Sequence, residues 1–92
     1  MRISVRLEGP LAWLAGRAQI TLDIEEKSRV LDALRALCKE EPRLSLIFDP
    51  DTGDPRTNFL ILLNGKDIDV LGGLDAELGE GDELCIIPLM RI

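Results

Sequence analysis

The most reactive side chains in this sequence are two thiols, Cys38 and Cys85. A cysteine is a nucleophile only as the thiolate, which needs a neighbouring base or a positively charged environment. The chain contains no histidine, so neither thiol can be activated by an imidazole. Two thiols are also too few for an iron–sulfur cluster held by four cysteines of one chain. We therefore expect neither thiol to be a catalytic residue.

Carboxylates are the second candidate chemistry. Asp49, Asp51 and Asp54 occupy a turn-rich loop that faintly resembles a calcium-binding loop, but the glutamate that closes such a loop is missing. Asp67 and Asp69 are close enough in sequence to form an acid/base pair, yet nothing nearby would position a substrate or raise the pKa of either group. We expect surface carboxylates, with no metal site, no cofactor and no catalytic site.

Composition narrows the class of protein further. The 92 residues fit a single domain, residues 1–92, and 46% of them are hydrophobic, which suffices for a small core. Lys and Arg total 11 against 17 Asp and Glu, a net charge of −6, which disfavours nucleic acid and anionic membranes as partners. No apolar run approaches the roughly 18 residues of a membrane span, and no secretory segment opens the chain. A cytoplasmic protein is expected.

The amino-terminal part of the chain predicts a long-looped β-hairpin. Residues 2–8 alternate polar and apolar side chains, and residues 18–24 do the same, as expected for strands with one buried face. Residues 11–16 are predicted to be the loop between them. This loop carries Trp13, for which two interpretations stay open: a side chain tucked under the sheet edge, or an exposed anchor for another protein.

The middle of the chain predicts one long helix. Ser28 is a favoured N-cap residue, and the residues after it place apolar side chains at helical spacing up to a stop before Pro42. The helix is predicted over residues 28–40. Residues 44–48 show no alternation and predict a single helical turn.

The carboxyl-terminal part predicts three more strands. Residues 59–63 are apolar at both the odd and the even positions, so both faces of this strand would be apolar. This indicates a strand covered on both faces or one whose second face is a docking surface. Asn64-Gly65 favours a tight hairpin turn. Residues 66–71 are predicted to return as a short strand, and residues 83–89 to form the last one.

These elements predict an α+β domain with a mixed sheet of four or five strands and one main helix on one face. One helix cannot cover both faces of the sheet, so the second face stays open. If Leu84 and Ile86 point to the helix, strand parity places Cys85, Ile87 and Leu89 on the open face. We predict an interaction surface formed by Cys85, Ile87, Leu89 and Met90, which binds a hydrophobic partner or a second copy of the chain.

Four short motifs resemble the MoaD and ThiS sulfur carriers and the related small archaeal ubiquitin-like modifiers. They are Asn64-Gly65-Lys66-Asp67-Ile68, Leu71-Gly72-Gly73-Leu74, Gly81-Asp82-Glu83-Leu84 and Ile86-Ile87-Pro88. The resemblance implies a ubiquitin-like β-grasp fold with the first and last strands side by side at the centre of the sheet. It also implies a protein that is not catalytic on its own. Its expected partners are an E1-like adenylyltransferase or the large subunit of a molybdopterin-synthase-like enzyme.

The carboxyl-terminal tail departs from that family. Its members end in Gly-Gly, whose carboxylate is adenylated and converted to a thiocarboxylate or joined to a lysine, whereas Pro88 is followed here by Leu89, Met90, Arg91 and Ile92. Our first hypothesis is a β-grasp module that binds partners through its open sheet face and has lost the carrier chemistry. The alternative is a sulfur carrier, or the small subunit of a molybdopterin-synthase-like enzyme, in which Ile92 supplies the carried carboxylate.

Overall fold

The computed structural model describes residues 1–89, which contain five strands, two α-helices and four short 3-10 turns. The strands are β1 (Arg2–Leu7), β2 (Gln19–Asp23), β3 (Phe59–Leu63), β4 (Lys66–Asp67) and β5 (Glu83–Pro88). The helices are α1 (Pro10–Ala15) and α2 (Val30–Glu40), and the 3-10 turns are Pro42–Ile47, Pro55–Thr57, Ile68–Val70 and Gly73–Asp75.

The five strands form one mixed sheet in the order β2-β1-β5-β3-β4. The first and last strands, β1 and β5, are parallel neighbours at its centre, while every other pairing is antiparallel. The predicted α+β layout and the central strand pair implied by the resemblance are therefore confirmed. The predicted turn at Asn64-Gly65 is also confirmed, since both residues have positive φ, +50° and +85°.

The core lies between the sheet and α2. The inward side chains of the central strands, among them Val5, Ile61, Leu84 and Ile86, are almost fully buried, and they belong to one apolar cluster with Val30, Ala33, Leu34 and Leu37 of α2. The helical turn predicted after Pro42 is present and buries Leu44 and Ile47 in the same cluster. Because the polar positions of β1 and β2 point away from α2, the alternation seen in the sequence sets which face of the sheet is covered.

The start of α2 differs from the prediction. Arg29, not Ser28, is the N-cap residue, and the Asp32 carboxylate accepts a hydrogen bond from the Arg29 amide at 2.8 Å. The Ser28 carbonyl accepts a hydrogen bond from the Leu78 amide at 2.9 Å. The backbones of Arg29 and Glu77 form an isolated antiparallel β-bridge. These long-range pairings hold the backbone of residues 28 and 29 outside the helix, with Arg29 extended, so α2 begins at Val30 and its N-cap lies one residue later than its local sequence suggests.

The first connection also differs from the prediction, because residues 11–16 are not a loop. Pro10 begins the six-residue helix α1, and Gly16 ends it with a left-handed φ of +73°. Proline in the first turn and glycine just past the end are the usual boundary signals of a helix. Leu11 is completely buried in the common core, so α1 lies on the covered side of the sheet edge.

The predicted fourth strand is shorter than expected. It spans only Lys66 and Asp67, after which residues 68–70 form a 3-10 turn. The Asp67 carboxylate accepts a hydrogen bond from the Asp69 amide at 2.9 Å and so caps that turn. A side chain that satisfies a backbone donor two residues ahead favours a turn over continued strand pairing.

Candidate partner-binding surface

The face of the sheet opposite α2 carries a contiguous apolar area, which we call the apolar stripe. It consists of Leu60 and Leu62 of β3 and Cys85 and Ile87 of β5, all half-buried, together with the exposed Leu89 just after β5. Leu60 pairs with Ile87, and Leu62 pairs with Cys85. Paired residues of neighbouring strands point to the same face at about 5 Å spacing, so these side chains adjoin one another.

The β1 and β2 half of the open face is polar. Arg6, Thr21 and Gln19 are exposed there, and Ser4 is half-buried. Two ion pairs lie on this half: Arg6 Nη2 is 3.9 Å from a Glu83 carboxylate oxygen, and Arg2 Nε is 3.5 Å from an Asp23 oxygen. The open face therefore combines an apolar half with a polar half, as protein-binding surfaces with a polar rim do.

The structure brings together three of the predicted interaction residues. Cys85 and Ile87 lie on the stripe, and Leu89 is 62% exposed at its end. The predicted surface residue Met90 and the tail residues Arg91 and Ile92 lie outside the described residues. Sequence reasoning did not assign Leu60 and Leu62 to the site, although a strand that is apolar on both parities was the signal that could have identified them.

Neither thiol is set up as a nucleophile. The Cys85 sulfur lies 3.9 Å from a Glu8 carboxylate oxygen, and burial followed by the negative charge of Glu8 raises the pKa of Cys85. Burial raises the pKa of Cys38 to about 11. Cys38 packs against the core, and its sulfur lies 3.5 Å from the Leu44 carbonyl oxygen. Both thiols thus stay protonated at neutral pH, which suits packing and not catalysis.

The raised pKa values of the two thiols predict that both react slowly and that Cys38 reacts more slowly than Cys85. At about pH 8, an aromatic disulfide reagent should modify both thiols more slowly than free cysteine, with Cys38 the slower of the two. For a pKa of about 11, only about one Cys38 thiol in a thousand is ionised at that pH. Glu8→Gln should speed the reaction of Cys85, because it removes the charge that opposes ionisation, whereas Glu25→Gln should not. Equal rates for free cysteine and both native thiols would contradict this prediction.

The aspartates of the loop before β3 accept hydrogen bonds from backbone amides of the same loop. Asp49 accepts hydrogen bonds from the Asp51 and Thr52 amides at 3.1 and 2.9 Å, and these contacts hold its pKa below the ordinary value. The Arg56 guanidinium lies 2.8 Å from Asp54 and 2.9 Å from Asp69. Within residues 1–89, no group of three or more acidic, cysteine or histidine side chains could hold a metal ion. These aspartates therefore order the loop before β3.

Trp13 is an exposed side chain and is not tucked under the sheet edge. It stands on α1, opposite the buried Leu11, and 81% of it is exposed. An exposed indole is a common anchor at protein interfaces.

No helix within the described part of the chain is long and apolar enough to cross a membrane.

Fluorescence tests this placement, because Trp13 is the only tryptophan. The native protein should emit at nearly the wavelength of a free tryptophan derivative in water, and acrylamide should quench both to a similar extent. Unfolding in guanidinium chloride, followed in parallel by circular dichroism, should change the emission little. A blue-shifted native emission that acrylamide quenches poorly would show that the indole is covered.

Comparison with known proteins finds one matching family model and several similar structures. The sequence model of the ThiS family matches residues 5–91. SAMP1 from Haloferax volcanii is 29% identical with a TM-score of 0.87, covering 100% of this chain and 99% of that one. Small archaeal modifier protein 1 from Methanosarcina acetivorans is 30% identical with a TM-score of 0.80, covering 99% and 96%.

A more distant structure shares the fold alone. A chain of the Amycolatopsis orientalis BexX/CysO complex is 19% identical with a TM-score of 0.76, and the match covers 98% of each chain. No curated protein sequence matches the chain. The similarities therefore come from one family model and from solved structures.

Proposed function

Because the chain belongs to the ThiS family, we propose that it acts by binding a partner protein through the apolar stripe of its open sheet face. The small carriers and modifiers to which it is similar are not catalysts themselves, which agrees with the expectation from the sequence. The observation that carries the proposal is the stripe itself, four half-buried apolar side chains and an exposed leucine on a sheet face that no described element covers.

Burial of the stripe supplies the driving force. Removing a leucine or isoleucine side chain completely from water is worth about 1.5–3 kcal/mol, and at most about a third of that is still to be gained at each of the partly buried stripe residues. A central cluster of such side chains inside a polar rim is the usual arrangement of an interface hot spot. The ion pairs of Arg2 and Arg6 on the neighbouring half provide such a rim.

The proposed partner is an E1-like adenylyltransferase or a protein similar to the large subunit of molybdopterin synthase. The BexX/CysO complex offers a precedent, since there a protein of this fold is assembled with a second protein. For a polypeptide that ends at Ile92, the proposal includes no carrier step. A tail that threads a narrow channel to ATP needs residues without a Cβ, and isoleucine is branched at that carbon.

Calorimetry tests the proposal. The chain is titrated into the purified E1-like adenylyltransferase encoded in the same genome and, in parallel, into the purified molybdopterin-synthase large subunit. We expect a saturable complex with one of them and a negative heat-capacity change, because apolar surface leaves water. No binding to either protein, or binding with a heat-capacity change near zero, would contradict the proposal.

A further inference from the structure

We infer that the partner covering the apolar stripe presents two cationic side chains, one facing Glu8 and one facing Asp67, so that a basic protein surface and not a second copy of this chain occupies the stripe. This inference rests on the proposed function and adds the chemistry of the partner. It follows from two carboxylates that stand at opposite sides of the stripe.

Glu8 borders the stripe at the end of β1. Its side chain is exposed, and its Oε1 atom lies 3.9 Å from the Cys85 sulfur. Its backbone amide donates to the Ile86 carbonyl at 3.2 Å, which fixes residue 8 beside β5. No cation of the described residues forms an ion pair with Glu8, whereas its neighbour on the same face, Arg6, pairs with Glu83.

Asp67 borders the stripe on the other side. It pairs with Leu62 in the register of β3 and β4, so its side chain is on the face that carries the stripe. It is half-buried, and its carboxylate caps the following turn through the Asp69 amide. The nearby guanidinium of Arg56 is engaged by Asp54 and Asp69, and within residues 1–89 no ion pair includes Asp67.

The sheet order sets the spacing that a partner must match. Glu8 follows β1 and Asp67 belongs to β4, which are separated by β5 and β3. Three strand spacings of about 4.8 Å across the sheet, with an offset of two residues or about 7 Å along the strands, place residues 8 and 67 roughly 16 Å apart. An apolar projection on the partner, with a lysine or arginine on each side at that separation, would fill the stripe and reach both carboxylates.

Charge argues against a second copy as the occupant. Each copy carries a net charge of −6, and two copies facing each other would bring four uncompensated carboxylates to one interface. The cations on this face, Arg2 and Arg6, already pair with Asp23 and Glu83. Like charges at an interface repel the wrong partner, while opposite charges speed the association of the correct one.

Association kinetics test the inference. The parent chain, Glu8→Gln, Asp67→Asn and the double variant are measured against the purified partner identified by calorimetry, over a series of NaCl concentrations. Asparagine at position 67 can still accept from the Asp69 amide, so the turn keeps its cap. The matched control is the double variant Glu25→Gln/Glu40→Gln, which removes two exposed carboxylates away from the stripe.

At low salt, the Glu8/Asp67 double variant should associate about tenfold more slowly than the parent, with a flatter salt dependence and a nearly unchanged dissociation rate. The control double variant should stay close to the parent. Equal association rates for the parent and the Glu8/Asp67 double variant, or an equal loss in the control, would overturn the inference. If Ile87→Asp abolishes binding while the charge variants bind like the parent, only this inference fails and the proposed function stands.

Sedimentation provides a second readout. The chain alone should sediment as a monomer. A stable dimer that Ile87→Asp dissociates would show that a second copy occupies the stripe, and would also overturn the inference.

Discussion

Ile87→Asp is expected to weaken partner binding by about 2–4 kcal/mol, which is roughly 30- to 1000-fold in Kd. Ile87 lies at the centre of the stripe, paired with Leu60 and half-buried on the open face. A carboxylate there would be desolvated against the apolar part of the partner and would lie beside the like charge of Glu8, and that cost adds to the lost apolar contact. Calorimetry with the purified partner measures the change.

The substitution should leave the fold nearly intact, because Ile87 points away from the core. The adjacent Ile86 is completely buried, so Ile86→Asp should unfold the protein, and thermal unfolding by circular dichroism distinguishes the two variants. Thr21→Asp places the same charge on the polar half of the open face and should bind within a few-fold of the parent. A folded Ile87→Asp variant that binds like the parent would contradict the role of the stripe.

Appending Gly-Gly after Ile92 is expected to turn the polypeptide into a substrate for adenylation by the E1-like enzyme. The terminal carboxylate must reach the α-phosphate of ATP, and glycine passes through a narrow channel where a β-branched side chain does not. Pyrophosphate exchange should rise by about 100-fold or more over the polypeptide ending at Ile92, because a misplacement of about 1 Å at a reacting group can cost that much.

An Ala-Ala extension of the same length is the control, and it should exchange pyrophosphate no faster than the polypeptide ending at Ile92. This control separates the effect of glycine from that of added length. Rapid exchange with the polypeptide ending at Ile92 would contradict the prediction and favour the alternative, a sulfur carrier with an atypical terminus.

Local patterns predicted most of the fold because strands and helices have periods that are visible in the sequence. The alternation in residues 2–8 and 18–24 identified β1 and β2, and parity placed Leu84 and Ile86 inward. The parallel pairing of β1 with β5 joins residues about 80 positions apart, and no local period encodes such a pairing. That feature came from the resemblance alone.

Two of the misassigned elements, the start of α2 and the helix α1, depend on contacts that are distant in sequence. Ser28 has the chemistry of an N-cap, but its carbonyl pairs with the Leu78 amide, and Arg29 takes the N-cap position instead. The helix α1 is six residues long and marginal by itself, so its stability depends on burial of Leu11 in the common core. The turn after Asp67 was signalled locally, since aspartate commonly caps a turn two residues ahead.

The candidate site was predicted only in part for a similar reason. The alternation of side chains along β5 identified Cys85 and Ile87 as outward-facing, because Leu84 and Ile86 were clearly inward. Residues 59–63 are apolar on both parities, so the sequence could not say which of them face outward until the register with β5 was known. The placement of Glu8 and Asp67 beside the stripe likewise depends on strand order, which a single sequence does not display.

Mapping the contact surface by NMR tests the role of the stripe most directly. Methyl-labelled chain is titrated with the purified partner, and the methyl signals of Leu60, Leu62, Ile87 and Leu89 are followed. These signals should shift or broaden in proportion to the bound fraction, while those of Leu31 in α2 and Leu74 in the 3-10 turn that contacts α2 should change little. Changes centred on Leu31 and Leu74, with the stripe signals unaffected, would show that the partner binds the opposite side of the molecule.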